Sequence, residues 1–366
     1  MQPERGAKRR PVPVVLMKLR RVVVSFKRLF AASVTAVFCL FLQETVPARD
    51  LPEYPLTTVS PEFAQFVTPT PLSPIWREKP ETPEAWRALR EKCAEAAKPL
   101  NRALAQKLSV TVTPGILAGV PVFTLMPKEE APEHRGRVLL YIHGGGYVLN
   151  PGEAGLDEGL SVAGHGKIRV VSVDYRMAPE HPYPAALDDV VAVYRALLRD
   201  YAAGSIGVFG SSTGGGLTLA LALRLRDEGV PLPAALAPGS PWSDLGKVGD
   251  TYFSNEGQDN ILVTYDNWLR KAAEAYAGGE SLRNPYLSPV YGDFTGFPPV
   301  FLTSGTRDLF LSNTVRVHEK LRRAGVPADL YVFEGMSHVQ FYLHPDVAEC
   351  KTYCRELTCF FDRYFK

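Results

Sequence analysis

The sequence predicts an α/β fold in which a mostly parallel sheet is covered by helices on both faces. Three observations carry that expectation. The balance of 46% hydrophobic and 22% charged residues over 366 positions is that of a globular chain long enough for a large core. From Ser109 onward, short β-branched runs bounded by turn residues follow one another. Beyond Ala185, helical and strand-like segments alternate, the pattern of strands joined by covering helices.

In chain order, a Pro-rich polar stretch gives way at Thr82-Pro83-Glu84 to an Ala-, Leu-, Glu- and Lys-rich segment ending near Leu108. The hydroxyl followed by proline is a helix start, and the composition after it favours helix. Four strand-like runs follow: SVTVTP, GVPVFTLMP, RVLLYIH and IRVVSVDYR. Helix is expected at 185–201, 217–227, 313–324 and 346–365, and strand at SIGVFG, AALAPGS, PVFLTSG and ADLYVFEG. Residues 246–297 break the alternation with aromatic and polar residues and read as an insertion above the carboxyl edge of the sheet.

The charge is unevenly distributed. Arg5, Lys8, Arg9, Arg10, Lys18, Arg20, Arg21, Lys27 and Arg28 precede residue 29 with only Glu4 opposing them, whereas from Arg49 onward 32 basic residues face 37 acidic ones. A mildly acidic body argues against nucleic acid as a partner. The basic stretch leads into Leu29–Leu42, a 14-residue apolar run, and then to small residues at Val46-Pro47-Ala48. That layout is the one expected of a secretory signal peptide; an uncleaved anchor or a buried helix stays open, although a membrane span needs about 20 apolar residues. The expected division is a signal peptide at 1–48, a linker and N-terminal helical cap at 49–105, and a main domain at 106–366. The expected location is periplasmic or secreted, with no stable membrane anchor once the signal is cleaved. Cys93, Cys350, Cys354 and Cys359 are too few for a disulfide scaffold, although Cys93 paired with one of the others stays open. No histidine stands near them at metal-ligand spacing.

Chemistry concentrates at three places. A strand runs through Gly210-Ser211-Ser212-Thr213-Gly214 into an apolar helix, which fits the G-x-S-x-G turn that presents a nucleophilic serine. Glycine two before and two after Ser212 is what a sharp strand-to-helix turn demands. A phosphate loop would need a lysine where Leu217 follows the glycines. Upstream, a buried strand ends in His143-Gly144-Gly145-Gly146-Tyr147. Backbone N–H groups of Gly145 and Gly146, with that of Thr213, suit an oxyanion hole. His143 is expected to hold the loop. Downstream, Asp308 and His338 each stand just past a strand, in the order serine, acid, histidine. Asp266 and Asp293 follow no clear strand. His134, His165, His181 and His318 read as surface residues, and His344 as a residue lining the pocket. Tyr147 and Ser211, which flank the two glycine-rich turns, are the candidates for substrate contact.

Six segments resemble, in order, the sequence blocks of the hormone-sensitive-lipase-like group (bacterial family IV) of α/β-hydrolase esterases. They are HGGG at 143–146, DYRMAPEHPYPAALDD at 174–189, the serine turn at 210–214, SPWSDL at 240–245, GTRDL at 305–309 and GMSH at 335–338. The resemblance spans about residues 105–365. It implies an eight-stranded sheet with a cap, no metal or organic cofactor, and hydrolysis of small-molecule esters with short to medium acyl groups. It also implies that Asp174, Arg176 and the Pro-rich turn at 179–184 are structural. Many members carry Asp and Ala where Ser211 and Thr213 stand, and the Ser-Ser-Thr turn is similar to that of monoterpene ε-lactone hydrolases. Lactone hydrolysis is therefore the alternative, with Thr213 expected to add bulk near the pocket. Further rivals are an amidase on the same residues and a non-catalytic ligand-binding member of the fold. Trp76, Trp86, Tyr252 and Trp268 are expected to build an apolar acyl or alcohol pocket. A homodimer is compatible with the sequence.

Overall fold

The computed structural model describes residues 58–68 and 70–366; the expected signal peptide lies outside them. Eight strands form one sheet: β1 (Val110–Leu117), β2 (Val120–Pro127), β3 (Val138–Ile142), β4 (Val170–Val173), β5 (Ile206–Ser211), β6 (Ala235–Gly239), β7 (Val300–Gly305) and β8 (Ala328–Phe333). Their order is β1-β2-β4-β3-β5-β6-β7-β8. The β1–β2 hairpin and the β2–β4 pair are antiparallel, and every pair from β4 to β8 is parallel. Ten helices are described: α1 (Pro61–Ala64), α2 (Pro83–Lys107), α3 (Asp157–Gly166), α4 (Ala185–Leu197), α5 (Thr213–Asp227), α6 (Thr251–Ser254), α7 (Trp268–Ala277), α8 (Leu311–Arg323), α9 (Gln340–Leu343) and α10 (Ala348–Tyr364).

The central strands read as continuous apolar runs because both faces are covered. In β3, Val138, Leu140 and Ile142 join a core with residues of α4, α5 and α8, while Leu139 and Tyr141 join the opposite core with residues of α3 and α10. That is the two-residue period of a strand buried on both sides. Each fully buried Leu, Ile or Val contributes about 1.5–3 kcal/mol relative to an exposed one. α2 begins where expected, Thr82 accepting a hydrogen bond from the Ala85 N–H through its hydroxyl. At 25 residues it is about 37 Å long. Trp86 and Leu89 near its start enter one core and Leu104 and Ala105 near its end enter the other, so α2 links the two layers.

Helix α3 was not expected, because Gly159, Gly164 and Gly166 depress helix propensity. Packing explains at least the first: a Cβ on Gly159 would stand 2.7 Å from the Tyr141 ring. α4 ends at Leu197, four residues short of the expected Tyr201, and α5 begins at Thr213, four residues before the expected Leu217. His134, expected at the surface, is 2% exposed; its ring nitrogens bond the Lys167 carbonyl and Asp362. All four described cysteines are free thiols.

The parallel strands end at one edge, and the loops that leave β3, β5, β7 and β8 gather there. This is where an open α/β sheet places its ligand.

Candidate active site

Ser212 sits at φ 61°, ψ −122°, between β5 and the first turn of α5. Such a conformation costs a non-glycine residue about 1–3 kcal/mol. The flanking glycines make it accessible: a Cβ on Gly210 would lie 2.1 Å from the Ile142 carbonyl oxygen, and one on Gly214 1.9 Å from the same atom. β5 thus turns beside the end of β3 with no room for a side chain at either position. Ser212 is half-buried in an otherwise buried run.

The loop after β3 packs directly on this turn. The His143 ring lies against Tyr175 at 4.2 Å, and its Nδ1 is 2.8 Å from the Gly144 carbonyl, so Nδ1 carries the proton. Burial pushes the His143 imidazole down, which leaves it neutral. Tyr175 donates to the His143 carbonyl at 2.9 Å. His143 therefore holds the loop, as expected. Gly145 (φ 119°) and Gly146 (φ 67°) adopt conformations that favour glycine. Among the described residues, no hydrogen-bond acceptor is occupied by the N–H of Gly145, Gly146 or Thr213.

Asp308 and His338 meet: His338 Nδ1 is 3.0 Å from Asp308 Oδ1. The carboxylate also accepts from the Ser304 hydroxyl and the Phe310 N–H, both at 2.8 Å. Burial alone would raise the Asp308 carboxyl, but the imidazole first and then the Phe310 N–H hold it below the ordinary value. The Phe310 ring stands edge-on to the imidazole at 4.8 Å. On its other edge, His338 Nε2 has no hydrogen-bond partner among the described residues, Ser212 included. Asp266 and Asp293 lie elsewhere, paired with Lys247 and with Thr295.

Ser212, His338 and Gly144–Gly146 line one cavity of about 220 Å³. Cys93, Ala96, Ala97 and Leu100 of α2 cover it, with Leu72 and Ile75 before α2 and Ile261, Leu262 and Trp268 from the insertion. His344 joins the wall, its ring stacked on Phe66 at 3.6 Å and its pKa pushed down to about 4 by burial. Of the four aromatic residues expected here, only Trp268 lines the cavity. Trp86 and Tyr252 are core residues, and Trp76 packs at its margin. Tyr147 and Ser211 do not reach the cavity either. Tyr147 stacks on Tyr276 at 3.6 Å, and the Ser211 hydroxyl donates to Glu158 at 2.7 Å. Ser211 ends β5 and points under the turn, while the sharp turn at Ser212 carries its side chain to the cavity. The Thr213 side chain is fully buried and adds nothing to the wall.

Two acidic residues near the site were missed from the sequence. Asp157 lines the cavity, its pKa raised to about 6 by burial. Asp259 is fully buried beside Asp308 and His338. Neither follows a strand, so the pattern that singled out Asp308 could not find them.

Comparison with known proteins bears on the fold and the family. A family model described as the alpha/beta hydrolase fold matches residues 139–342. The chain belongs to the α/β-hydrolase family. It is 36% identical over 215 residues to an acetyl-hydrolase of Streptomyces hygroscopicus, covering 58% of this chain and 71% of the relative. It is 30% identical over 239 residues to an esterase of Acinetobacter venetianus, covering 65% and 77%. Among solved structures it is similar to the esterase E25, with 42% identity, a TM-score of 0.83, and coverage of 88% of this chain and 99% of that one. A second, an esterase from the bacterial hormone-sensitive lipase family, gives 30% identity, a TM-score of 0.66 and coverage of 78% and 100%. This α/β hydrolase is an esterase of the hormone-sensitive-lipase-like kind.

Proposed function

We propose that this α/β hydrolase cleaves carboxylic esters of short to medium acyl chain through an acyl-serine intermediate on Ser212. His338, oriented by Asp308, takes the Ser212 proton as the hydroxyl attacks the ester carbonyl. The N–H groups of Gly145, Gly146 and Thr213 stabilise the oxyanion that forms. The imidazolium then gives its proton to the leaving alcohol, leaving an acyl-serine. Water activated by the same imidazole attacks that ester and releases the acid. The observation that carries the reading is the imidazole itself: Nδ1 is bonded to a buried carboxylate while Nε2 is unpartnered on the side of a cavity that Ser212 shares.

The cavity supports the short to medium chain length. Its volume of about 220 Å³ lies below the roughly 300–1,000 Å³ of drug-sized pockets. Its cover is apolar, which suits an alkyl chain and not a charged one. The ε-lactone alternative keeps only its motif resemblance, because the Thr213 hydroxyl lies away from the cavity wall. Amide hydrolysis would use the same residues and is separated by assay. Export through the N-terminal segment remains our reading of the basic and apolar runs before Ala48.

The test is hydrolysis of p-nitrophenyl butyrate, p-nitrophenyl palmitate, ε-caprolactone and a p-nitroanilide by the wild type and Ser212→Ala. Rapid butyrate turnover, slow palmitate turnover and loss of both in the variant are expected. Faster turnover of the lactone or anilide would replace the ester reading with that one.

A further inference from the structure

The insertion between β6 and β7 sends one buried pair, Asp259-Asn260, into the space behind the proposed triad. Asp259 Oδ1 accepts from the N–H groups of Ile261 and Leu262 at 2.9 and 3.0 Å. Its Oδ2 accepts from Leu309 N–H at 2.9 Å and from His338 N–H at 3.4 Å. Leu309 follows the proposed acid, and His338 is the proposed base. One carboxylate therefore ties the loop after β7 to the loop after β8. Ile261 and Leu262, held by the other oxygen, line the cavity. Asn260 extends the clasp: its N–H donates to the Ser337 hydroxyl at 3.0 Å, and its amide donates to the carbonyls of Phe66 and Thr68 at 2.9 and 2.8 Å.

We propose that Asp259 is a positioning residue for ester hydrolysis, fixing Asp308 and His338 relative to each other and to the cavity wall, and adding a second negative charge behind the imidazole. The inference rests on the triad reading above. Four N–H donors converge on two oxygens, and only an ionised carboxylate, which is purely an acceptor, satisfies all four. An asparagine, or a protonated acid, turns a donor toward an N–H and loses at least one bond. The largest charge effects on Asp259 come from Asp308 and His338. Burial first, and the Asp308 charge second, push the Asp259 carboxyl up to about 6, so it is ionised where an esterase with a neutral histidine base works. Asp259 is absent from the cavity wall and makes no contact that substrate binding would sense directly.

The experiment measures kcat, KM and the pH dependence of kcat/KM for p-nitrophenyl butyrate, with thermal midpoints. The proteins are the wild type, Asp259→Asn, Asp259→Glu, Ser212→Ala and Asp244→Asn. Asp244 is a comparably buried carboxylate, bonded to Arg316 and Tyr291 and outside the site. Asp259→Asn is expected to lower kcat about 10- to 100-fold, the effect of displaced catalytic groups, with KM nearly unchanged. The acidic limb of its kcat/KM profile is expected about one unit lower, because a charge favouring the imidazolium is gone. Asp259→Glu keeps the charge and moves the oxygens, so kcat falls while the limb stays. Asp244→Asn loses thermal stability and keeps its kcat. Wild-type kcat in folded Asp259→Asn overturns the proposal, as does an equal kcat loss in Asp244→Asn. Should Asp259→Asn not fold, wild-type kcat in Asp259→Glu overturns it. Activity surviving in Ser212→Ala sinks the triad reading and this inference together, whereas an inactive Ser212→Ala beside an unimpaired Asp259→Asn sinks this inference alone.

Discussion

Ser212 pays for its exposure with a strained backbone, and the surroundings dictate what each neighbouring position can be. Removing its hydroxyl leaves binding and oxyanion donors intact, so Ser212→Ala is expected to lower kcat by about 10⁴-fold or more without unfolding the protein. Asp308→Asn leaves a bond to the imidazole in the wrong tautomer and is expected to cost about 10³- to 10⁴-fold in kcat. Gly214→Ala is different in kind. A methyl 1.9 Å from the Ile142 carbonyl oxygen requires β3 and α5 to part, and a loss of at least about 1–3 kcal/mol by denaturant unfolding is expected. A folded Gly214→Ala of wild-type stability would refute this account of the turn. The positions that meet at the cavity could be singled out in the sequence because each is bound to a local pattern: glycine spacing at the turn, and a polar residue on the loop that leaves a strand. Tyr147 and Ser211 were misread because sequence adjacency does not tell which face a side chain takes.

At the scale of elements, α2 both joins the two cores and covers the cavity. Its small residues Ala96 and Ala97 and its Leu100 set the depth available to an acyl chain. Leu100→Ala is expected to raise kcat/KM for longer p-nitrophenyl esters relative to butyrate, and Ala96→Leu to lower it for all but acetate; a chain-length profile unmoved by both would place the acyl group elsewhere. Trp86→Ala removes a side chain 3% exposed from the core beneath α2 and is expected to cost about 3–5 kcal/mol. The start of α2 could be read from its Thr-Pro-Glu cap, the first four strands from their β-branched runs and the later four from their alternation with helices. α3 could not, because its glycines answer to close packing, Gly159 against Tyr141 of β3, Gly164 against Leu108 and Gly166 against Thr358, a tertiary demand that local propensity opposes. Asp259 was hidden for a related reason. It works through two backbone N–H groups of its own loop and two from distant segments, and no spacing in the chain announces that convergence.

For the whole molecule, the buried acids set how stability varies with pH. Glu158 lies beneath the serine turn and accepts from the hydroxyls of Ser211 and Tyr353 at 2.7 and 2.6 Å. Burial raises its pKa from 4.5 to about 8. The folded state thus holds a proton that the unfolded state releases above about 4.5, so stability falls as pH rises between those values. Asp157 and Asp259, each raised to about 6, act in the same direction. Glu158→Gln mimics the protonated acid, and its thermal midpoint is expected to change less than the wild type's between about pH 5 and 8. Equal slopes would contradict the assignment. The central claim, that an ester is cleaved through an acyl group on Ser212, is tested most directly by acid-quenching the enzyme during turnover of p-nitrophenyl butyrate and mapping the adduct by peptide mass. One butyryl group on the peptide carrying Ser212 is expected, strongly reduced in a His338→Ala variant, whose serine has lost its base, and absent from Ser212→Ala. A butyryl group on another residue, or none at Ser212 while that variant still turns over substrate, would contradict it.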